Sequence, residues 1–422
     1  MNARVPMTAS EDTARRWRDV RNVLAVRLDN LGDVLMTTPA LSAIRQSLPG
    51  ARITLLTSAA GAMAARHIPE IDEALIFQAP WIKAGAANGG FDGRGTQRMV
   101  RRLAACRFDA AVIFTVCTQS ALPAAMLCML AGIPLRLAYC RENPYALLTD
   151  WVADQEVVAD GMRHEVLRQL ALVEHVGWRA PTDRLRFQVP MDDAVRLQER
   201  TLLAGLDPRQ PYVVVHPGAS APSRRYPAAR FGVAAQAVAE ESGAQVVFTG
   251  AASERTLIEE AQAVMTVPSL AFAGDLSLGE LAALIAGAKV LIANNSGPAH
   301  IAAAVNTPVV DVYALTNPQH TPWGVPSRVL FRDVPCRNCL KSVCPEGHHQ
   351  CLLGVEPHDV AGAALDLMGL APLVMPAANV ALERSPELRL PVENRLGREN
   401  RGSRDSGRRG RTAVVHPVKL LD

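Results

Sequence analysis

The sequence predicts an α/β protein with two parallel sheets, each covered by helices. Short apolar runs alternate with amphipathic stretches of about ten residues, which is typical of parallel strands joined by helical crossovers. The alternation is interrupted at 187–193, where Pro190 is followed by paired acids, and then begins again. With 422 residues, of which 49% are hydrophobic, the chain can form two cores. We therefore expect two Rossmann-like halves that face each other.

The first series of elements occupies residues 20–190. Its stretch 110–116 is apolar and β-branched, as expected of a central parallel strand. The Gly- and Ala-rich stretch 81–98 is predicted to be a mobile loop near the cleft. Residues 1–19 are polar and are predicted to be flexible. The predicted strands are 23–26, 52–57, 74–77, 110–116 and 135–139, and the predicted helices are 40–48, 119–130 and 163–176.

The second series occupies residues 191–376 and is followed by a tail, 377–422, whose composition predicts disorder. The predicted strands are 212–215, 245–249, 290–293 and 308–313, and the predicted helices are 229–240, 253–264, 278–286, 299–305 and 358–368.

The charge distribution gives no sign of a nucleic-acid-binding body. The net charge is +3, and residues 384–422 contain ten Lys or Arg against five Asp or Glu, so the remainder is close to neutral. The basic tail either steers the protein to an anionic membrane or only aids solubility. No apolar run has the length of a membrane span, and the N-terminus has no apolar segment of a secretory signal. We expect a cytoplasmic protein.

The turn after the first predicted strand carries the main chemical signal. In the segment RLDNLGDVLMTTP, Gly32 and Asp33 fall between a strand and a helix, at the edge of a parallel sheet where such folds bind ligands. Asp33 is a candidate general base there, and a helix-capping acid is the alternative. Asp29 is either an ordinary loop acid or a residue that helps to hold a substrate.

A second strand-to-helix turn has the features of an anion site. Ser296 can cap a helix, Gly297 permits close backbone approach, and Pro298 suits the first turn. The N–H groups of such a helix end suit a phosphate. His300, in the first turn, either touches phosphate or sugar or is a buried histidine with satisfied hydrogen bonds.

Several ordered segments together resemble glycosyltransferase family 9, the ADP-heptose:lipopolysaccharide heptosyltransferases. The resemblance covers roughly residues 20–372. It implies the GT-B architecture, in which two Rossmann-like domains face each other across a cleft and bind the acceptor and the nucleotide sugar respectively. The matching segments are RLDNLGDVLMTTPAL (27–41), HPGAS (216–220), RRYP (224–227), FTGAASE (248–254), AGDLSLGELAALI (273–285) and NNSGPAHIAAA (294–304).

The resemblance implies transfer of heptose from ADP-heptose, with inversion, to a lipid-linked lipopolysaccharide core acceptor at the inner membrane surface. Asp33 would be the general base, with Gly32 and Asp29 on the acceptor side, and no cofactor or metal is expected. Arg224 would bind the diphosphate, although Arg225 is an alternative. The family often has Asp where this chain has Asn295, so another donor sugar remains open. The residues expected on the donor side are Ser220, Arg224, Glu254, Asn295, Ser296, Gly297 and His300.

Two other readings stay open. One is a transferase with a different nucleotide sugar and glycan acceptor, and the other is a non-catalytic nucleotide-binding Rossmann protein. A dinucleotide-dependent protein is disfavoured because the first strand-to-helix turn lacks G-x-G-x-x-G.

A loop at 336–351 contains four cysteines, Cys336, Cys339, Cys344 and Cys351, within sixteen residues. Their density suits a structural metal site, but their spacing is not a standard one, and free thiols in a loop are the favoured alternative.

Overall fold

The computed structural model describes residues 11–82, 93–159, 161–370 and 379–381. These residues belong to one compact unit, whereas a second unit, Pro386–Asp422, lies outside the described residues. The strands are β1 (Asn22–Arg27), β2 (Arg52–Thr57), β3 (Glu73–Ile76), β4 (Ala110–Ile113), β5 (Leu135–Cys140), β6 (Asp150–Ala153), β7 (Tyr212–His216), β8 (Gln245–Gly250), β9 (Ser269–Ala273), β10 (Leu291–Asn294), β11 (Val309–Val312), β12 (Ser327–Phe331) and β13 (Asn379–Ala381).

Thirteen α-helices are assigned within the described residues, together with short 3-10 helices at Tyr145–Leu147, Pro222–Arg224 and Ala252–Glu254. None of these helices is long and apolar enough to span a membrane. The α-helices are α1 (Glu11–Arg18), α2 (Leu31–Ser47), α3 (Ala59–Ala65), α4 (Gly93–Cys106), α5 (Leu122–Leu130), α6 (Glu165–Glu174), α7 (Met191–Leu203), α8 (Ala228–Ser242), α9 (Arg255–Gln262), α10 (Leu278–Gly287), α11 (Gly297–Ala304), α12 (Gln350–Leu353) and α13 (Pro357–Leu367).

The first sheet has the order β3-β2-β1-β4-β5-β6, and all of its neighbouring strands are parallel. The chain moves outward in one direction from β1 to β3 and in the other from β4 to β6. The strand order therefore reverses between β1 and β4, and a crevice forms beyond the carboxyl ends of these two strands. The turn that contains Asp33 begins at this crevice.

The second sheet has the order β13-β12-β11-β10-β7-β8-β9. Its strands are parallel except for β13, which pairs antiparallel with β12. The order reverses between β7 and β10, so the loops after these strands also border a crevice. The predicted fold class, two parallel-sheet α/β halves, is confirmed.

The two halves share a hydrophobic core. Helix α2 of the first half packs on α11 of the second half. Their apolar faces, which include Val34 and Leu35 on α2 and Ala299 and Ala302 on α11, are buried in one continuous cluster. Apolar burial of this kind is the main favourable contribution to holding two sheets in a fixed relation.

The expectation of a flexible N-terminus is wrong for residues 11–18, which form α1. Trp17 is fully buried, and its indole N–H donates to Asp150, while Arg16 forms an ion pair with the same carboxylate. Burial of a tryptophan outweighs the polar composition of its neighbours. Residues 1–10 lie outside the described residues.

Two further loop predictions need correction. Residues 93–106 form α4 with Met99 and Leu103 buried, so the predicted loop at 81–98 ends earlier than expected. In the predicted tail, residues 379–381 form β13, and the rest of 377–422 lies outside the described residues. The predicted boundaries between the domains stay predictions.

Candidate active site

Asp33 occupies the first turn of α2, where its carboxylate faces two directions. One oxygen, Oδ2, accepts a hydrogen bond from the Asn30 backbone N–H at 3.1 Å, as a helix-capping acid would. The other, Oδ1, accepts a hydrogen bond from Arg27 Nη2 at 3.3 Å. Burial acts to raise the pKa of Asp33, but Arg27, His320 and the Asn30 N–H outweigh it and hold the pKa below its ordinary value.

Arg27, at the end of β1, organises the acids around Asp33 and is fully buried. Its guanidinium also pairs with Asp29 at 3.0 Å and with Glu165 of α6 at 2.8 Å. Burial acts to lower the pKa of Arg27, but the three carboxylates raise it above its ordinary value. Sequence reasoning missed Arg27 and Glu165. The only signal in the sequence was for Arg27, a charged residue that ends an otherwise apolar strand.

The pKa of Asp29 is shifted upward, whereas that of Asp33 is shifted downward. Burial raises the pKa of Asp29 to about 6, although Arg27 and a hydrogen bond from Gln119 oppose this shift. The Gln119 amide donates to Asp29 Oδ1 at 2.6 Å. Two neighbouring acids are thus held with different affinities for a proton.

His300 brings the second half into direct contact with the Asp33 turn. A Cβ added at Gly32 would lie 2.5 Å from His300 Cδ2, so only glycine permits this approach. At the start of α11, a Cβ added at Gly297 would lie 3.4 Å from Leu31 Cδ2. The two turns predicted from the sequence therefore face each other. Burial lowers the pKa of His300 to about 4, so its imidazole is neutral near pH 7.

The loop after β11 supplies a second histidine that sequence reasoning missed. His320 Nε2 lies 3.9 Å from Asp33 Oδ1, and burial holds the pKa of His320 below its ordinary value. The loop is fixed to the first half by backbone and side-chain contacts: the Glu165 N–H donates to the Gln319 carbonyl, and His164 stacks on Trp323. No recognisable motif marks His320 in the sequence.

The predicted phosphate-binding turn starts α11 without a side-chain cap. Ser296 occupies the capping position, but its hydroxyl donates to the Asn294 carbonyl instead of accepting a helix N–H. The prediction that the Ser296 side chain caps the helix is therefore wrong. Without a capping oxygen, the positive end of the helix dipole is available to an anion. The neighbouring Asn295 is buried.

Arg224 lies in the 3-10 helix Pro222–Arg224, close enough to the start of α11 to affect the pKa of His300. After burial and His320, the positive charge of Arg224 contributes to the low pKa of His300. Arg224 Nε is buried and has no hydrogen-bond partner in the described part of the chain. A buried donor without a partner is costly, and a bound anion would satisfy it.

Arg225 points elsewhere and is exposed. Its Nε donates to the Ala219 carbonyl at 2.7 Å. The arrangement thus favours Arg224 over Arg225 as the anion-binding arginine. Two hydrogen bonds fix the loop: the Tyr226 N–H donates to the buried Asn294 Oδ1, and Ser223 donates to the Lys341 carbonyl of the cysteine-rich loop.

Glu254 and Ser220 border the ends of β7 and β8. The Glu254 carboxylate would lie 2.2 Å from a Cβ added at Gly218, and it accepts a hydrogen bond from the Ala251 N–H. Its Oε2 is also 3.8 Å from the buried His216 Nε2. The Glu254 carboxylate thus stabilises the start of the 3-10 helix Ala252–Glu254 and lies against the loop after β7. Ser220 is exposed.

A pocket that is open to solvent adjoins Asp29 at the carboxyl ends of β1 and β4. Its wall combines an apolar surface with the polar groups of Asp29, Gln119 and Ser120, and Trp81 contributes an aromatic ring. An aromatic ring beside hydrogen-bonding groups suits a sugar, which has both apolar faces and hydroxyls.

The four cysteines of the loop 336–351 are free and half-buried. Cys336 Sγ lies 3.8 Å from His348 Nε2, and burial followed by the proximity of the other three thiols raises the pKa of Cys351. Among the residues that the structure describes, no group of three or more His, Cys, Asp or Glu is arranged to hold a metal ion.

Known proteins share this fold. The crystal structure of a family 9 glycosyltransferase from Veillonella parvula superposes with a TM-score of 0.69 and 22% identity, covering 82% of this chain and 97% of that one. The structure of Escherichia coli ADP-heptose lipopolysaccharide heptosyltransferase II gives a TM-score of 0.62 and 24% identity, covering 82% and 98%.

Sequence comparisons agree. The lipopolysaccharide heptosyltransferase 2 of Escherichia coli K12 is 26% identical over 350 residues, which are 80% of this chain and 96% of that protein. The lipopolysaccharide heptosyltransferase 1 of Pseudomonas aeruginosa is 25% identical over 327 residues, 76% and 87% of the two chains. The model of glycosyltransferase family 9 (heptosyltransferase) matches residues 96–350. Because this match spans more than half of the chain, the protein is a glycosyltransferase and belongs to family 9, the heptosyltransferases.

Proposed function

We propose that the protein transfers a heptose from ADP-heptose to a lipopolysaccharide core acceptor, with inversion at the anomeric carbon and Asp33 as the general base. The main support is the meeting of the Asp33 turn with the start of α11, documented by the close approach of Gly32 and His300. An ionised acid and an anion-binding helix end in one crevice are the two groups that this reaction needs.

In this mechanism the acceptor hydroxyl attacks the anomeric carbon of the donor, and Asp33 takes its proton. The glycosidic C–O bond to ADP breaks on the opposite face, and the electron pair leaves with the diphosphate. The pKa of Asp33 is held below its ordinary value, so the carboxylate is ionised at neutral pH as a base must be. Protonation of Asp33 by the acceptor becomes favourable only as negative charge moves to the leaving group.

The second half would stabilise the leaving diphosphate. Arg224, whose buried Nε has no partner among the described residues, and the uncapped start of α11 supply positive charge and N–H donors. Asn295 and His300 would contact phosphate or sugar, and Glu254 would accept hydrogen bonds from ribose hydroxyls. Ser220, which is exposed in the loop after β7, would donate its hydroxyl to a phosphate oxygen.

On the acceptor side, the pocket beside Asp29 would bind the sugar that carries the attacking hydroxyl. Asp29 and Gln119 are its hydrogen-bonding groups, and Trp81 offers an apolar face.

We propose that the acceptor is lipid-linked and that the protein works in the cytoplasm, peripheral to the inner membrane. The names of the relatives support lipopolysaccharide as the acceptor.

The decisive experiment compares Asp33→Asn with the wild-type protein in an assay with ADP-heptose and heptose-deficient lipopolysaccharide. The amide keeps the shape of the side chain but cannot accept the proton, so we expect turnover to fall about a hundredfold or more, with ADP binding retained. Asp192→Asn, which alters an exposed first-turn acid of α7, is the matched control. Unchanged turnover of Asp33→Asn would show that Asp33 is not the general base. If the wild-type protein forms no product, the proposed reaction itself is overturned.

A further inference from the structure

Helix α4 carries a stripe of arginines on its outer side. The four side chains follow the helical spacing i, i+4, i+7 and i+8, and all are exposed, whereas Met99 and Leu103 lie on the opposite, buried side. The helix contains no acidic residue. None of the four forms an ion pair with the part of the chain that the structure describes. They are Arg94, Arg98, Arg101 and Arg102.

The neighbouring helix α5 has an apolar stripe where a surface helix would normally be polar. Met126 is 41% exposed and Leu130 is 59% exposed, with Leu122 and Met129 half-buried beside them at helical spacing. Beyond the end of α5, Tyr145 is 83% exposed. Exposed apolar side chains grouped on one side of a helix are more typical of a binding surface than singly scattered ones.

The two stripes face the same side of the molecule. Helices α4 and α5 pack against each other, and α5 also packs against the 3-10 helix Tyr145–Leu147. The inward sides of α4 and α5 join one core cluster on a single face of the first sheet, through Leu103 and Leu127 among others. Their outward sides therefore form one layer, which we name the α4–α5 face.

This combination indicates an interface between water and lipid. Arginines without acidic partners are attracted to anionic headgroups, and the apolar side chains gain by entering the boundary of the acyl chains. A nucleic acid would use the arginines but gain nothing from the aliphatic stripe.

We propose that the α4–α5 face docks on an anionic lipid bilayer. The inference rests on the proposed function in one respect: a lipid-linked acceptor must reach the pocket beside Asp29. That pocket is lined by Ala124 of α5 and by Ile82. The helix that carries the apolar stripe therefore also borders the proposed acceptor site, so docking through the α4–α5 face would hold this site close to an embedded acceptor.

Vesicle flotation of the full chain tests the proposal without any sugar donor. We expect binding to phosphatidylcholine vesicles that contain phosphatidylglycerol, weaker binding to phosphatidylcholine alone, and release at about 1 M salt, where the Debye length falls to about 3 Å. Each arginine near the surface contributes about fivefold in affinity, so R98Q/R101Q/R102Q should weaken binding on the order of a hundredfold. M126Q/L130Q should also weaken binding, in a manner insensitive to salt.

The basic tail requires a matched control, R404Q/R408Q/R409Q, which removes the same number of charges. Thermal melts confirm that each variant folds. The proposal is overturned if the wild type ignores both kinds of vesicle, as a protein partner would predict, or if only the tail variant loses binding. Turnover with a short water-soluble acceptor separates the two proposals, because the α4 and α5 variants should retain it. A protein that floats with vesicles but transfers no heptose would contradict the proposed function alone.

Discussion

At the scale of single residues, the site depends on charges that are buried as a group. An isolated buried carboxylate would take up a proton, because its ionised form is poorly solvated. Here Arg27 compensates Asp29, Asp33 and Glu165 together, and the pKa of Asp33 falls below its ordinary value as a result. Replacement of any member changes the proton affinity of the others, so these residues should not behave additively.

Arg224 and Arg225 offer a direct comparison between adjacent residues. Arg224→Ala should weaken ADP binding about 10- to 100-fold, because a charge-assisted contact with phosphate is lost. Arg225→Ala should change it less than about twofold, since Arg225 is exposed and bonds to its own loop. Calorimetric titration with ADP measures both. The reverse ranking would assign the diphosphate to Arg225.

Protonation of Asp29 should lower kcat/KM for the acceptor at acidic pH and so produce an acidic limb in the plot of kcat/KM against pH. Its pKa is raised to about 6, so the carboxylate is ionised above pH 6 and takes up a proton as the pH falls through that value. If the ionised form holds the acceptor, kcat/KM for the acceptor should fall about tenfold per pH unit below pH 6, whereas Asp33 stays ionised in this range. Asp29→Asn should be slower but lack this limb. Persistence of the limb in Asp29→Asn would assign it to another group.

At the scale of elements, the sequence predicted the buried central strands and the edge strand β3, but it missed β6, β9 and β12. Strands β1, β4, β7 and β10 are apolar runs buried on both faces, and their pattern is unambiguous. Strand β6 has the sequence DWVA and lies at a sheet edge, where one face meets water and the apolar run disappears. Helix α4 was missed because only two of its residues are buried.

The residues of the candidate site likewise fall into those that the sequence indicated and those that it did not. Asp33 and the turn at 296–298 lie in local motifs, so a strand followed by a turn and a helix was enough to indicate them, whereas Arg224 was indicated by the family resemblance. Glu165, His164 and His320 reach the site through contacts between distant parts of the chain. No local pattern records such contacts. The cysteine-rich loop shows a similar limit, because its hydrogen bonds to Ser223 connect it to Arg224 only in the folded protein.

At the scale of the whole molecule, the reaction requires the two halves to meet at a fixed separation. The continuous core between α2 and α11 supplies part of this constraint, and the contact of Gly32 with His300 supplies the closest approach. Domain closure around substrates would have to preserve this contact or break it reversibly. A side chain at Gly32 would therefore disturb the packing of the two halves against each other.

Gly32→Ala tests this dependence. The new Cβ would lie 2.5 Å from His300 Cδ2, so the buried imidazole or the helix must shift, and we expect a loss of about 1–3 kcal/mol in the free energy of unfolding together with slower transfer. Gly50→Ala is the control, because its Cβ would meet Arg21 Nη1 at an ordinary 3.5 Å. Combining Gly32→Ala with His300→Ala should recover part of the lost stability, since the collision disappears. Purely additive losses in this double variant, measured by denaturant unfolding, would show that the halves do not meet at Gly32 and His300.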